Sequence, residues 1–263
     1  MILLVHSLRR QWVLFIAACV LLFAFQILLI LVARGLEWSG GFIQLGNLFP
    51  AFLQELTNLA MMSFAGMVSF AYTHPVVLGF LIAMAVGIGT EPAGEIEVKF
   101  VDLALARPLP RRSAINRSIA LLLVATGAAL GSMLLGTWSG LLLLAPASVP
   151  GPAPRVILSL AANLALAVLA WGAIALTLGA LARRRAAAVG TAGLLALAMF
   201  ILDYVGRLWE PARGVSRLSP FHYFSPFPLI GGAPLPGRDV MALAGIFLGG
   251  CVIAHMVYAR RDL

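Results

Sequence analysis
The chain has 263 residues, of which 62% are hydrophobic and 11% charged, with a net charge of +8 and a mean hydropathy of +1.01. A soluble domain carries roughly 25% charged and about 45–50% apolar residues, so this composition argues against a soluble enzyme or a nucleic-acid binder. A hydrocarbon core of about 30 Å takes roughly 20 helical residues, which leaves room for six spans with modest connections and none for a separate soluble catalytic domain.

The opening residues, Met1 to Arg10, set Ile2, Leu3, Val5 and Leu8 beside His6, Arg9 and Arg10, a pattern suited to a short interfacial helix. The apolar run from Trp12 to Ala33 is too long for a signal-peptide core and has no clean small-x-small cleavage site, so it reads as a retained first span. Residues 34–72 mix Arg34, Glu37, Asn47, Pro50, Gln54, Glu55 and Asn58 with apolar positions. The stretch from Phe49 to Phe70 is expected to form an outer interfacial or shallow re-entrant helix. A second span runs from His74 to Thr90, with Pro75 in its first turn, where a missing N–H is tolerated.

Residues 91–117 hold four acids and five bases and cannot cross a bilayer. The third span is Ser118 to Trp138, followed by a connection with Pro146, Pro150, Pro152 and Pro154. The apolar run from Val156 is interrupted at Arg183, Arg184 and Arg185. Three arginines at a helix centre cost about 8–10 kcal/mol, so the triplet marks a turn between span four, 156–181, and span five, 186–206. A polar, Pro-rich segment then leads to span six, Val240 to Tyr258. No internal repeat is visible, and residues 1–263 read as a single membrane domain.

With the amino terminus inside, 12 of the 18 basic residues fall on the inner side. The positive-inside rule therefore places both termini in the cytoplasm. Four of the remaining six, Arg207, Arg213, Arg217 and Arg238, lie between spans five and six, and that segment is expected to fold against the outer headgroups.

The spans carry almost none of the mid-membrane ionisable groups that mark ion-coupled transporters. Asp203 is placed to pair with Arg207 four residues on, His255 to face headgroups at the inner end of span six, and Gln26 and Asn163 to make interhelical hydrogen bonds. Ser139 and His255 belong to opposite faces, so no serine-protease pair forms. No phosphate-binding loop of the form G-x-x-x-x-G-K-[ST] occurs, and the chain is no ATPase by itself. Gly127 with Gly131, and Gly245 with Gly249, have the spacing of tight helix contacts, expected within the bundle, with a subunit interface as the alternative. Cys19 and Cys251 lie in apolar runs and indicate neither a disulfide nor a metal site.

The loop after span two joins acids, Glu91, Glu95, Glu97 and Asp102, to bases, Arg107, Arg111, Arg112 and Arg117, with Lys99 among the acids. VDLALA carries an apolar face, and Pro108 and Pro110 end whatever helix forms there. Such a helix suits docking into a groove on a soluble partner.

In these residues the chain resembles ABC-2-type transporter permeases. AGE at 93–95 and DLALARPLPRR at 102–112 match the family's pattern after span two, with Glu95, Asp102, Pro108 and Arg111 on its characteristic positions. HP at 74–75 and SPFHYF before span six also look like features of these permeases, particularly the branch associated with copper-enzyme maturation. Lys99 departs from the family's usual glycine.

The resemblance implies an all-α integral membrane fold with six transmembrane helices, both termini cytoplasmic, a cytoplasmic coupling helix and outer interfacial or re-entrant helices. It implies a dimer of this chain in a bacterial inner membrane, paired with two copies of an ATP-binding-cassette ATPase. ATP and Mg would be held by that partner; no cofactor, metal or nucleic acid is expected on this chain. Glu91, Glu95, Glu97, Lys99, Asp102, Arg107, Pro108, Arg111 and Arg112 would couple to the ATPase, with Glu95 and Asp102 capping or orienting the coupling helix. Trp209, Phe221, His222, Tyr223 and Phe224 would form an outer gate or an interface belt in contact with lipid. The alternative is a polytopic scaffold or assembly factor whose loop binds a non-ATPase partner.

Overall fold
The computed structural model describes residues 2–41, 63–97, 112–147 and 149–260, with side chains described from 12 in the first stretch and from 113 in the third. Among these residues every regular element is helical. Six helices or helix groups are long and apolar enough to cross a membrane: Trp12–Trp38, Phe64–Glu97, Ser113–Leu144, Pro154–Leu181, Arg185–Leu208 and Gly237–Ala259.

The first of these belongs to α1, Ile2–Trp38, which is continuous. The expected separate interfacial helix before Arg10 is therefore part of the first span's own helix, since no Pro or Gly breaks the backbone before Gly35. The second crossing is built from three pieces: α2 (Phe64–Phe70), α3 (Pro75–Gly89) and α4 (Glu91–Glu97). Pro75 cannot continue a helix from α2, and His74 caps α3 instead, its Nδ1 accepting from Val76 N–H at 3.3 Å. At 15 residues α3 is about 22 Å long, short of a full hydrocarbon core, and α2 and α4 extend it at either end.

The remaining crossings are α5 (Arg112–Leu144), α6 (Pro154–Leu181), α7 (Arg185–Leu208) and α10 (Gly237–Ala259). Between the last two lie 3-10 turns at Glu210–Ala212 and Pro220–Tyr223 and the short helices α8 (Arg213–Ser216) and α9 (Pro226–Ile230). The arginine triplet does turn the chain: α6 stops at Leu181 and α7 starts at Arg185. The region 49–62 of the expected outer helix lies outside the described residues, and its remainder is α2, packed through Phe64 and Val68 on Ile30 and Ala33 of α1.

Helix α6 sits at the centre, touching α3, α4, α5, α7, α9 and α10. Small residues allow these close approaches. A Cβ on Gly89 would lie 2.7 Å from Gly172 O, one on Gly179 2.6 Å from Gly89 O, and one on Gly250 3.1 Å from Ala173 O, so α3 and α10 press backbone to backbone on α6. Thr177 Oγ1 adds a 3.0 Å bond to Gly250 O. On the opposite flank Gly136 and Gly140 of α5 receive α1 at Phe23 and Ile30. By contrast Gly127, Gly131, Gly245 and Gly249 face open space. Their expected role within the bundle is thus corrected: residue spacing gives a close-contact ridge but not its direction.

The polarity of the molecule is that of a membrane protein. Large apolar side chains point outward, among them Leu14, Leu142, Leu194 and Met241, whereas Gln26, Thr90, Ser118, Thr126, Thr137 and Asn163 are buried. Six such crossings support a multi-pass membrane protein.

Candidate functional site
Two ends of the bundle differ in chemistry. One gathers the end of α3, α4, the starts of α5 and α7 and the end of α10, with Glu95, Glu97, Asn116, Arg117, Arg185 and His255; it is called the charged end below. The other gathers residues 199–239 and is rich in aromatic side chains.

At the charged end α4 is held at both of its outer carboxylates. Pro92 and Ala93 are buried on one side, and Gly94 lies so close to Arg185 that a Cβ would meet its Cδ at 3.0 Å. Glu95 forms an ion pair with Arg117 of α5. The Arg117 side chain is 8% exposed, so Glu95 supplies the countercharge that a nearly buried guanidinium requires. Glu97 Oε2 accepts the backbone N–H of Arg185 at 3.0 Å. That N–H is among the donors that a helix start leaves without an intrahelical partner, and Arg184, at the N-cap, provides no side-chain bond for it. A carboxylate from α4 therefore caps α7, and its charge suits the positive end of that helix.

The arginine reciprocates. Arg185 Nη2 donates to Gly87 O at 3.1 Å, satisfying a carbonyl in the last turn of α3. Thr90 Oγ1 donates to Val86 O at 2.8 Å in the same turn. The chain entering residues 98–111 is thus tied to α5 through Arg117 and to α7 through Arg185.

Lys99, Asp102, Arg107, Pro108 and Arg111 lie outside the described residues, and Arg112 is the first residue of α5. Of the remaining site expectations, Glu91 opens α4, while Glu95 and Glu97 face two different spans. Arg117 and Arg185 were missed as site residues. Their signal in the sequence was present only as unmatched cations on the same side of the spans as the acids.

His255 also departs from expectation. Its Nδ1 donates to Cys251 O at 2.8 Å, and its Nε2 meets the Asn116 side-chain amide of α5 at 2.7 Å, so it is held between α10 and α5 rather than turned only to headgroups. Among the described residues no three His, Cys, Asp or Glu side chains gather as a metal site.

At the aromatic end Asp203 and Arg207 pair at 2.8 Å, as their spacing predicts. The segment before α10 does not merely lie over the surface. Its 3-10 turn dips into the bundle, with Phe221 at 5.2 Å from the Trp171 ring of α6 and 5.5 Å from Phe200 of α7. Ser219 Oγ donates to Met199 O at 2.9 Å, and Asn163 Nδ2 to Tyr223 O at 3.2 Å, which fixes the inserted turn from two helices. These buried polar anchors explain why a segment with four arginines between spans still descends. Phe221 and Phe224 are buried, His222 and Tyr223 half-buried, and Trp209 stands apart, exposed.

Gln26 corrects a further expectation. It is fully buried, and among the described residues neither its amide oxygen nor its nitrogen has a partner. Next to Phe221 an apolar groove of about 500 Å³ opens between α3 and α7, lined by Pro75, Leu78, Ile82, Gly193 and Phe200.

No family model, curated protein or solved structure matches the chain.

Proposed function
We propose that this chain is the transmembrane permease subunit of an ABC-2-type transporter, an exporter in a bacterial inner membrane, with both termini in the cytoplasm. A dimer of the chain would carry two copies of a separate ATPase, which supplies ATP and Mg chemistry; this chain itself catalyses nothing. The observation that carries the reading is the double attachment of α4, by Glu95 to Arg117 and by Glu97 to the start of α7. Residues 98–111 follow directly from α4 and lead into α5, so a push on that loop is delivered to two spans at once. Such a linkage is what a coupling helix requires if ATPase closure is to bias the arrangement of the spans. The apolar groove between α3 and α7 supports a hydrophobic cargo.

The test asks whether an ATP-binding-cassette ATPase copurifies with the detergent-solubilised chain and then combines the two. ATPase turnover changes on adding the wild-type chain. The double variant Glu95→Gln, Asp102→Asn inserts and folds but uncouples hydrolysis from export of an apolar dye in inverted vesicles. Undiminished export by that variant overturns the assignment. Recovery of a non-nucleotide partner alone favours a membrane scaffold instead.

A further inference from the structure
The inserted turn carries an ionisable group that its ring contacts do not use. His222 Nδ1 lies 3.7 Å from Asp203 Oδ1 of α7 and 3.4 Å from Ser216 Oγ of α8. Ser216 Oγ donates its own hydrogen to Arg213 O at 2.9 Å, so toward His222 it is an acceptor and Nδ1 carries the proton. In the neutral imidazole Nε2 is then the free base, and a second proton enters there. Charging the ring therefore keeps its Nδ1–H on the side of the Asp203 carboxylate.

Asp203 is placed to feel that charge. Its Oδ2 accepts from Arg207 Nε at 2.8 Å, while its Oδ1 is buried and makes no hydrogen bond among the described residues. The Arg207 side chain is 46% exposed, so water screens its charge. His222, at 29%, stands deeper and faces the oxygen that Arg207 leaves open. A desolvated carboxylate oxygen gains most from a cation on that side. The other ionisable groups around the turn are engaged elsewhere or point to solvent. Glu210 and Arg213 approach each other at 3.9 Å, Asp239 of α10 accepts from Ser225 Oγ at 2.8 Å, and Arg238 lies 5.9 Å from the centre of the Tyr223 ring. Tyr223 itself stands edge-on to His222 and donates its hydroxyl to Arg217 O at 3.0 Å, with Arg217 exposed. Helix α6 meets the turn through Asn163 and Trp171, which do not ionise, and its Arg155, two turns before Asn163, is exposed.

We propose that His222 and Asp203 form a pH-sensitive latch, in which the protonated imidazole holds the Pro220–Tyr223 turn on α7 more firmly than the neutral imidazole does. The added hold is present at the acid end of the range in which histidine titrates, about pH 5–8, and is lost as pH rises through it. Phe221 of the same turn lines the groove between α3 and α7, so the latch sets how firmly that part of the wall is held. It stands whether or not the groove carries cargo.

Hydrogen–deuterium exchange of the detergent-purified full chain at about pH 5.5 and about pH 7.5, corrected for the intrinsic pH dependence of exchange, tests this. The amides of His222 and Phe224, which donate to Ser219 O and Phe221 O, are the reporters. In the wild type their protection is expected to be about fivefold higher at the lower pH, the upper end for a partly exposed ion pair. His222→Gln and Asp203→Asn each remove the pH effect, and Arg238→Gln leaves it in place. Equal protection at the two pH values overturns the proposal, and so does lower protection at the acid one, which would mean that repulsion from Arg207 prevails. A pH effect that survives in His222→Gln overturns it by assigning the titration to another group, such as His74. One that survives in Asp203→Asn overturns it by separating the imidazole from the carboxylate. Should either of these two variants fail to fold, the other decides.

Discussion
Glu97 caps a helix that starts far along the chain: its carboxylate accepts the Arg185 backbone N–H at 3.0 Å across 88 residues. A local cap holds one helix; this one holds two helices in a fixed relation. Replacing Glu97 by Ala is expected to cost about 0.5–2 kcal/mol, the ordinary range for a lost cap. Amide hydrogen exchange should localise the loss, with faster exchange in the first turn of α7 and no change in α6.

The neighbouring ion pair is the more costly one to break. Glu95→Gln leaves the nearly buried Arg117 without its countercharge and should destabilise the chain by about 1–3 kcal/mol in thermal unfolding in detergent. Adding Arg117→Met should recover a large part of that loss, since the uncompensated charge goes with it. A double variant no more stable than Glu95→Gln alone would show that Glu95 acts through some other contact.

The glycines divide into two groups with opposite expectations. Gly89→Ala and Gly179→Ala place a methyl group against backbone atoms of the facing helix and should each cost about 1–3 kcal/mol, through a wider α3–α6 separation. Gly127→Ala and Gly245→Ala meet open space and should leave the unfolding of the isolated chain within about 0.5 kcal/mol. The same thermal measurement on all four variants checks the contrast.

Gln26 offers a gain. Its amide is fully buried with neither end hydrogen-bonded among the described residues. Gln26→Leu is close in volume and removes that desolvated group, so unfolding of the isolated chain should shift to higher temperature by the equivalent of about 1–2 kcal/mol.

How far the sequence reached depended on the kind of signal. Spans were legible because hydropathy sums over many residues, and Arg183 to Arg185 marked a turn because three charges cannot be hidden in lipid. The Asp203–Arg207 pair was legible because helical geometry fixes which residues four apart meet. Glu95 and Glu97 stood out in the sequence as acids of the charged segment, but their partners did not. Arg117 and Arg185 reach them only once α5 and α7 have packed, and no local spacing encodes that. The directions of Gly127 and Gly245 were illegible for the same reason, since the spacing of a glycine pair says nothing about which neighbour the ridge faces. Phe221 was legible as an aromatic near an interface, but its descent depends on Ser219 and Asn163 finding acceptors on other segments.

The inserted turn at Pro220–Tyr223 is seated in the aromatic end of the bundle by ring contacts. Phe221 meets two rings, Trp171 and Phe200, and an aromatic pair contributes about 0.5–1.5 kcal/mol. Withdrawing the side chain forfeits about 1–3 kcal/mol in ring contacts alone, and the hydrogen bonds of Ser219 to Met199 O and of Asn163 to Tyr223 O must break with it. The turn therefore leaves its seat only as a unit, with its ring contacts and hydrogen bonds released together.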